Sequence, residues 1–182
     1  MKRKAILMCL VAAMTVVLAR PAASEPKEAP KAAAKNPALE RFKQLAGEWV
    51  GKKLDEKGKE AGDVGVKYQV TSGGSAVMET LMPGTDHEMV TLIHADGNDL
   101  VLTHYCMLGN QPHMKAAAKG ADKQVAFQFT GGSNMKSEKD MHMHGVTYTF
   151  VDADTLRAEW ILYVDGKKQG TVAFEVKRQK GL

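Results

Sequence analysis

Apolar and polar residues alternate with a period of two through most of the chain, and this pattern is the strongest constraint on its fold. Residues 64–68 read Val-Gly-Val-Lys-Tyr and residues 156–160 read Leu-Arg-Ala-Glu-Trp, with the large apolar side chains on every second position. Successive side chains of a strand point to opposite faces, so the alternation predicts strands with one buried and one polar face. Such strands are typical of antiparallel sheets.

Glycine-containing turn sequences separate these segments and predict about ten strands joined by hairpins. One short helix precedes them: Asn36 is the N-cap, Pro37 takes the first helical position, and Gly47 ends the turn after about ten residues. No second helix is evident, so the pattern excludes βαβ units. We therefore predict an all-β fold, an antiparallel up-and-down barrel that closes on itself and leaves no exposed edge. The predicted strands are residues 48–56, 62–72, 75–82, 88–95, 99–107, 112–119, 123–130, 141–151, 155–164 and 169–178.

The first residues have the three parts of a secretory signal peptide. Residues 1–4 are basic, residues 5–19 are apolar, and Ala-Ala-Ser at 22–24 offers small side chains for cleavage. We expect residues 1–24 to be removed during export to the periplasm or the extracellular space. The apolar run is shorter than the roughly 20 residues that span a membrane, so we expect no membrane span after cleavage.

The signal segment also accounts for the basic character of the chain. It holds four of the 25 Lys and Arg residues and no acidic residue, which leaves 21 basic against 21 acidic residues. A balanced charge argues against nucleic acid as a partner. Residues 25–36, rich in Pro, Ala and Lys, are predicted to be a flexible linker, and residues 37–182 the barrel domain. Cys9 lies in the signal, so Cys106 remains as a single cysteine without an intrachain disulfide.

The segment 42–51, Phe-Lys-Gln-Leu-Ala-Gly-Glu-Trp-Val-Gly, resembles the start of calycin barrels, the group that contains lipocalins and fatty-acid-binding proteins. In that group a helical turn precedes a Gly-x-Trp motif, and the tryptophan stacks on a basic residue of the last strand. The resemblance implies structural roles for Gly47 and Trp49. Arg178, at the end of the last predicted strand, is the implied partner of Trp49.

Segments 74–79, 87–91, 102–106 and 109–112 resemble a family of bacterial exported lipocalin-like domains of uncharacterised function. The resemblance covers residues 38–178. It implies the fold and brings no assigned reaction with it.

A barrel of this size encloses room for one small ligand. Glu79 alternates with Val77 and Leu81, which makes it a candidate inward residue, where a carboxylate needs a partner and can hold a polar group of a guest. The alternative, and the more common one for such a residue, is an ordinary exposed strand position. The methionines of the barrel segment suit an adaptable cavity, although we prefer ordinary core packing as their explanation. The predicted ligand-binding residues are Glu79, His104, Tyr105, Asn110, Gln111, Tyr148 and Trp160.

Two pairs of residues form a candidate metal site. Each pair is spaced two apart on one predicted strand and so points to one face, and the apolar residues on the same rows predict that both pairs point into the barrel. The first pair is His104 and Cys106, and the second is His142 and His144, with His94 as a further candidate. Imidazole and thiolate are ligands for zinc, copper or haem iron. The alternative is a set of hydrogen-bonded interior histidines and an inert thiol. The sequence leaves the cofactor unknown, and we do not favour a metal or haem over a cofactor-free barrel.

Three functions stay open at this point. We prefer a non-enzymatic barrel that binds a small, partly apolar molecule outside the cytoplasm. The second hypothesis is a haem- or transition-metal-binding barrel similar to the nitrobindins, although we find no clear counterpart of their motifs. The third is an enzyme acting on a lipophilic substrate with Asp86, His87 and Glu88 at the barrel mouth. The sequence carries no Gly-x-Ser-x-Gly elbow and no His-Glu-x-x-His motif in support of it. It does not fix the oligomeric state.

Overall fold

The computed structural model describes residues 35–117 and 123–180. The predicted signal peptide and nearly all of the predicted linker lie outside the described residues, so both stay predictions. In the described part of the chain, no helix has the length and apolar character needed to cross a membrane.

The described chain forms one α-helix, one short 3₁₀ turn and ten strands. Helix α1 spans Pro37–Lys43, and the Asn36 side chain caps it by accepting hydrogen bonds from the backbone N–H groups of Ala38 and Leu39. The 3₁₀ turn is Ser72–Gly74. The strands are β1 (Gly47–Leu54), β2 (Glu60–Thr71), β3 (Ala76–Leu81), β4 (Met89–Asp96), β5 (Asp99–Tyr105), β6 (Gln111–Ala117), β7 (Gln124–Ser133), β8 (His142–Phe150), β9 (Thr155–Val164) and β10 (Lys167–Arg178).

Each strand pairs antiparallel with its neighbours in sequence, and β1 pairs with β10 to close the barrel. The predicted all-β, up-and-down antiparallel barrel with one short helix before it is therefore confirmed. The strand bounds differ from the predicted ones by up to three residues, the largest difference being at the end of β7. Alternation and turn sequences were sufficient for this result because nearly every strand buries one face.

The helix ends earlier than predicted because side chains from β1 and β10 bind the backbone carbonyls that would continue it. Arg178 donates to the carbonyl oxygens of Gln44 at 2.7 Å and Ala46 at 2.9 Å. The indole Nε1–H of Trp49 donates to the carbonyl of Leu45 at 2.7 Å. These three carbonyls are thereby satisfied outside the helix.

Trp49 and Arg178 lie directly opposite one another where β1 meets β10. The guanidinium carbon of Arg178 lies 4.4 Å from the centre of the buried Trp49 ring, and its Nε donates to Asp154 at 3.2 Å. Gly47 precedes them with a φ of +129°, a region that favours glycine. One cluster therefore joins the helix, the first strand and the last strand.

Gly51 permits the close approach of β1 and β10 at the next inward position. A Cβ atom at Gly51 would lie 2.0 Å from the carbonyl oxygen of Glu175 and 2.7 Å from the Cα of Val176. Only glycine leaves room for this backbone contact.

Aromatic side chains fill the barrel end that carries α1. Phe42 of the helix packs edge-on against Tyr148, Phe150 and Phe127, with ring centres 5.1, 5.4 and 6.1 Å away. All four rings are buried. This end of the barrel is a packed core, so any opening has to lie at the other end.

We expect Arg178→Ala to lower the free energy of unfolding by about 2–4 kcal/mol, since it removes two hydrogen bonds to backbone carbonyls and a cation–π contact. Arg178→Lys should restore less than half of the loss, because one ammonium cannot reproduce the planar fork of a guanidinium. Urea unfolding measures both. The matched control is Lys177→Ala on the exposed face, with an expected change within about 0.5 kcal/mol. Equal losses at positions 177 and 178 would contradict this account.

Candidate functional site

A cavity of about 260 Å³ opens at the barrel end opposite α1. The ends of β1, β3, β5 and β9, the starts of β4 and β8, the first half of β2 and the middle of β10 surround it. Its wall is almost entirely apolar, and one third of the fifteen lining side chains are methionines. These are Met82, Met89, Met107, Met141 and Met143.

Alternation along the strands places the lining side chains. His104 and Cys106 stand two apart at the end of β5 and both line the cavity, as does Trp160 of β9. Met143 and Leu162 are directly paired between β8 and β9, and both line it as well. The predicted inward direction of the first His/Cys pair therefore agrees with the structure.

Large apolar side chains stay exposed around the opening. Met107, Leu108, Met141 and Val172 are each 44–55% exposed and all line the cavity. The first two belong to the β5–β6 turn. Contiguous exposed apolar surface at a pocket mouth is typical of a site for an apolar ligand or partner.

A buried carboxylate network lies in the middle of the barrel. Glu79 is fully buried and accepts hydrogen bonds from the hydroxyl of Tyr68 at 2.6 Å and that of Tyr148 at 2.9 Å. Burial raises the pKa of Glu79, and its hydrogen bonds with the tyrosines and with Thr91 oppose that shift. Burial and the nearby carboxylate hold the pKa values of both tyrosines well above 10, so their hydroxyls remain donors.

Thr91 connects this network to the cavity. It lies directly opposite Glu79 where β3 pairs with β4, and its hydroxyl lies 3.0 Å from Nδ1 of His104. The His104 ring packs against Trp160 with ring centres 4.4 Å apart. Burial lowers the pKa of His104 to about 4, so the imidazole is neutral at neutral pH.

The other predicted ligand-binding residues fall outside the cavity wall. Glu79 and Tyr148 lie in the network behind His104. Asn110 is buried and donates from Nδ2 to the carbonyl of Met141 at 2.8 Å, which ties the β5–β6 turn to the start of β8. Gln111 donates to the Gly109 carbonyl and accepts from Ser133 in surface hydrogen bonds. These two residues stabilise the turns at the mouth.

Tyr105 requires a correction. It is 47% exposed and lies between His104 and Cys106 in sequence, so its side chain points to the outer face of β5. The prediction that it contacts a guest inside the barrel does not agree with this placement. The alternation that correctly placed its two neighbours excludes it.

Sequence reasoning missed two residues of the site. Thr91 lies on the inward row of β4 with Ile93, and Lys53 lies on the inward row of β1 with Trp49. Each residue lies an even number of positions from an inward apolar residue of the same strand, so the sequence contained the information that places it. We did not select either one because the prediction identified inward positions by apolar side chains, and both of these side chains are hydrophilic.

The second histidine pair forms a separate cluster. Nε2 of His142 lies 2.9 Å from Nδ1 of His144, and Nδ1 of His142 lies 2.7 Å from the Asp140 carbonyl. The His144 ring stacks on Tyr163 with centres 3.8 Å apart and on Phe129 at 4.9 Å. Burial, followed by the neighbouring His142, lowers the pKa of His144.

The two histidine pairs do not converge, because the pairing of β8 with β9 shifts between Met143 and Gly145. Met143 and Leu162 face the cavity, so the adjacent pair His142 and Tyr163 faces away from it. The prediction assumed unbroken alternation through the start of β8, and the irregularity reverses its result.

Across residues 35–117 and 123–180, no three His, Cys, Asp or Glu side chains are placed to hold a metal ion. The predicted combination of His104 and Cys106 with His142 and His144 is therefore not assembled. Burial raises the pKa of the Cys106 thiol, which disfavours the thiolate that a metal needs. His94 is exposed on the outer face of β4.

The candidate acid–base residues near the mouth, Asp86, His87 and Glu88, lie in the turn between β3 and β4. Glu88 accepts a hydrogen bond from the backbone N–H of Gly84 at 2.6 Å, and the backbone N–H of His87 donates to the hydroxyl of Thr85 at 3.2 Å. Asp86, His87 and Glu88 are all exposed. This arrangement holds the β3–β4 turn and gives no geometry for general acid–base chemistry.

Neither a family model nor a curated protein matches the sequence. Among solved structures, the chain is similar to Rv2717c from M. tuberculosis, with 15% identity and a TM-score of 0.56, over 79% of this chain and 98% of that one. A DUF3598-family protein of unknown function from Nostoc punctiforme PCC 73102 matches with 11% identity and a TM-score of 0.48, over 76% of this chain and 49% of that one. A redesigned β-barrel matches with 9% identity and a TM-score of 0.38, over 76% of this chain and 95% of that one. At these identities the likeness to Rv2717c concerns the fold alone.

Proposed function

We propose that this protein is a lipocalin-like binding protein for a small, largely apolar molecule, without a reaction of its own. The observation that carries the proposal is the 260 Å³ apolar cavity, which opens to the surface through an apolar rim. Small-molecule sites are typically concave and apolar with few polar groups, and this cavity has that composition.

The cavity wall suits guests of variable shape. Methionine side chains have three rotatable bonds and a polarisable sulfur, so they adapt to an irregular apolar surface. Each methylene group buried from water contributes about 0.8 kcal/mol, before the costs of association are subtracted. A guest that fills the cavity buries roughly eight or nine such groups, which is at most about 7 kcal/mol, so we expect dissociation constants of roughly 10 μM to 1 mM.

His104 supplies a polar contact at the inner wall. In the tautomer with its proton on Nδ1, His104 donates to the Thr91 hydroxyl and Nε2 keeps its lone pair. A guest hydroxyl or amide N–H would then donate to Nε2 of His104.

The first prediction concerns occupation of the cavity. The neutral fluorophore 1-naphthylamine, whose two fused rings fit this volume, should bind with increased emission and a dissociation constant of roughly 10 μM to 1 mM. Met143→Trp fills the cavity and should weaken this binding at least about tenfold, since the guest loses its volume. Leu162→Trp, at the residue paired with Met143, serves as a second variant in case the first fails to fold. Fluorescence titration measures the affinity.

Val151→Trp is the matched control, since it introduces the same side chain at an exposed position away from the cavity. It should bind the fluorophore as the wild type does. Absence of binding to the wild type, or an equal loss in the control, would contradict the proposal. Native mass spectrometry of protein from its own host would then show whether a guest co-purifies.

The second prediction concerns the neutral state of His104. Its pKa in the folded protein is about 4, against 6.5 in the unfolded chain. As pH falls from 6.5 the unfolded chain therefore binds the proton first, and stability declines. Relative to His104→Gln, the wild type should lose about 3 kcal/mol of unfolding free energy between pH 6.5 and 4.

Urea unfolding across this pH range measures the difference. His94→Gln removes a histidine from the exposed outer face and leaves His104 in place, so it should keep the acid-sensitive step. Parallel stability profiles for the wild type and His104→Gln would show that burial does not disfavour the charged ring.

We also propose that the protein acts outside the cytoplasm after removal of residues 1–24, which rests on the three-part signal sequence. Intact-mass measurement on the protein from its own host should show a chain beginning at Glu25. A chain that retains the apolar run of residues 5–19 would contradict export by a cleaved signal.

A further inference from the structure

Lys53 is the one charged side chain that lines the cavity, within the ranges 35–117 and 123–180. It lies on the inward row of β1, two residues beyond Gly51, and is half-buried. Its neighbour Lys52 points outward and pairs with Asp63 at 2.6 Å and Glu60 at 3.8 Å. None of the acidic groups in those ranges lies within ion-pair distance of Lys53.

Lys53 lies at the opening of the cavity, where the cavity meets the outer surface. A groove of about 710 Å³ on the outer surface of β1 and β2 shares Lys53, Val64 and Met82 with the inner cavity. The cation therefore stands where the apolar interior meets the surface. His104, at the inner wall, is buried and neutral.

We propose that the guest is an amphipathic monocarboxylate whose carboxylate binds Nζ of Lys53 at the mouth and whose tail fills the cavity toward His104 and Trp160. This inference rests on the proposed function and names the class of ligand. A single ammonium neutralises a single negative charge, whereas a doubly charged phosphate would leave a charge uncompensated beside an apolar wall. A charge-assisted hydrogen bond to an otherwise unpaired lysine favours the anion.

The cavity volume sets the length of the tail. A methylene group takes about the volume of a water molecule in a liquid, about 30 Å³, so the volume of 260 Å³ accommodates roughly eight or nine carbons. Decanoate, with its carboxyl group at Lys53, matches that length. Decan-1-ol has the same tail and a neutral CH2OH group in place of the carboxylate, so the comparison isolates the contribution of the charged headgroup from that of the tail.

The experiment is isothermal titration calorimetry of the purified protein with decanoate and with decan-1-ol at neutral pH. The wild type should bind decanoate about tenfold more tightly than decan-1-ol. Lys53→Met should abolish this preference, so that the variant binds the two compounds with equal affinity. Lys67→Met is the matched control, because Lys67 lies on the outer face of β2 and is exposed, and it should keep the preference.

The outcomes separate the two proposals. Equal affinities for acid and alcohol in the wild type would overturn the carboxylate assignment while leaving the cavity as a binding site. A preference for decanoate that persists in Lys53→Met would overturn the role of Lys53. Binding of neither compound, nor of the neutral fluorophore, would overturn the proposed function itself.

Discussion

The antiparallel pairing of β1 with β10 closes the sheet, and the cavity exists only because of that closure. The pairing of these two strands depends on a close backbone approach that requires glycine at position 51. It also depends on the stacking of Arg178 over Trp49. Arg178 and Trp49 also bind the carbonyls that follow α1, so the helix is anchored at the same point. The same two residues therefore close the barrel and hold α1 at one barrel end, and the opening lies at the other end.

The two barrel ends differ in packing, and the Glu79 network separates them. Below it, Phe42 and its aromatic neighbours fill the interior. Above it, methionines line an open space. A buried carboxylate is costly unless its lone pairs are satisfied, and the hydroxyls of Tyr68 and Tyr148 satisfy them here. These hydrogen bonds connect β8 to β2 and β3 through the barrel interior, outside the wall of the cavity.

The barrel was predictable because alternation and turn residues act locally, and a strand with one buried face carries its own signal. The site was less predictable, since it depends on where alternation breaks. The shifted pairing before Gly145 turns His142 away from the cavity. No residue type in that segment predicts the shift. Thr91 and Lys53 were missed for another reason: a polar residue on an inward row resembles a polar residue on an outward row until the register of the strand is known.

The exposed rim links stability to binding. Leaving Met107, Leu108, Met141 and Val172 half in water forgoes hydrophobic stabilisation that a closed barrel end would gain. The α1 end shows that this fold can close with packed aromatic rings, so the opening is not imposed by the strand number. These exposed apolar residues are the surface that the proposed guest would cover. Asn110 supports this reading, because its hydrogen bond to the Met141 carbonyl holds the open rim in place.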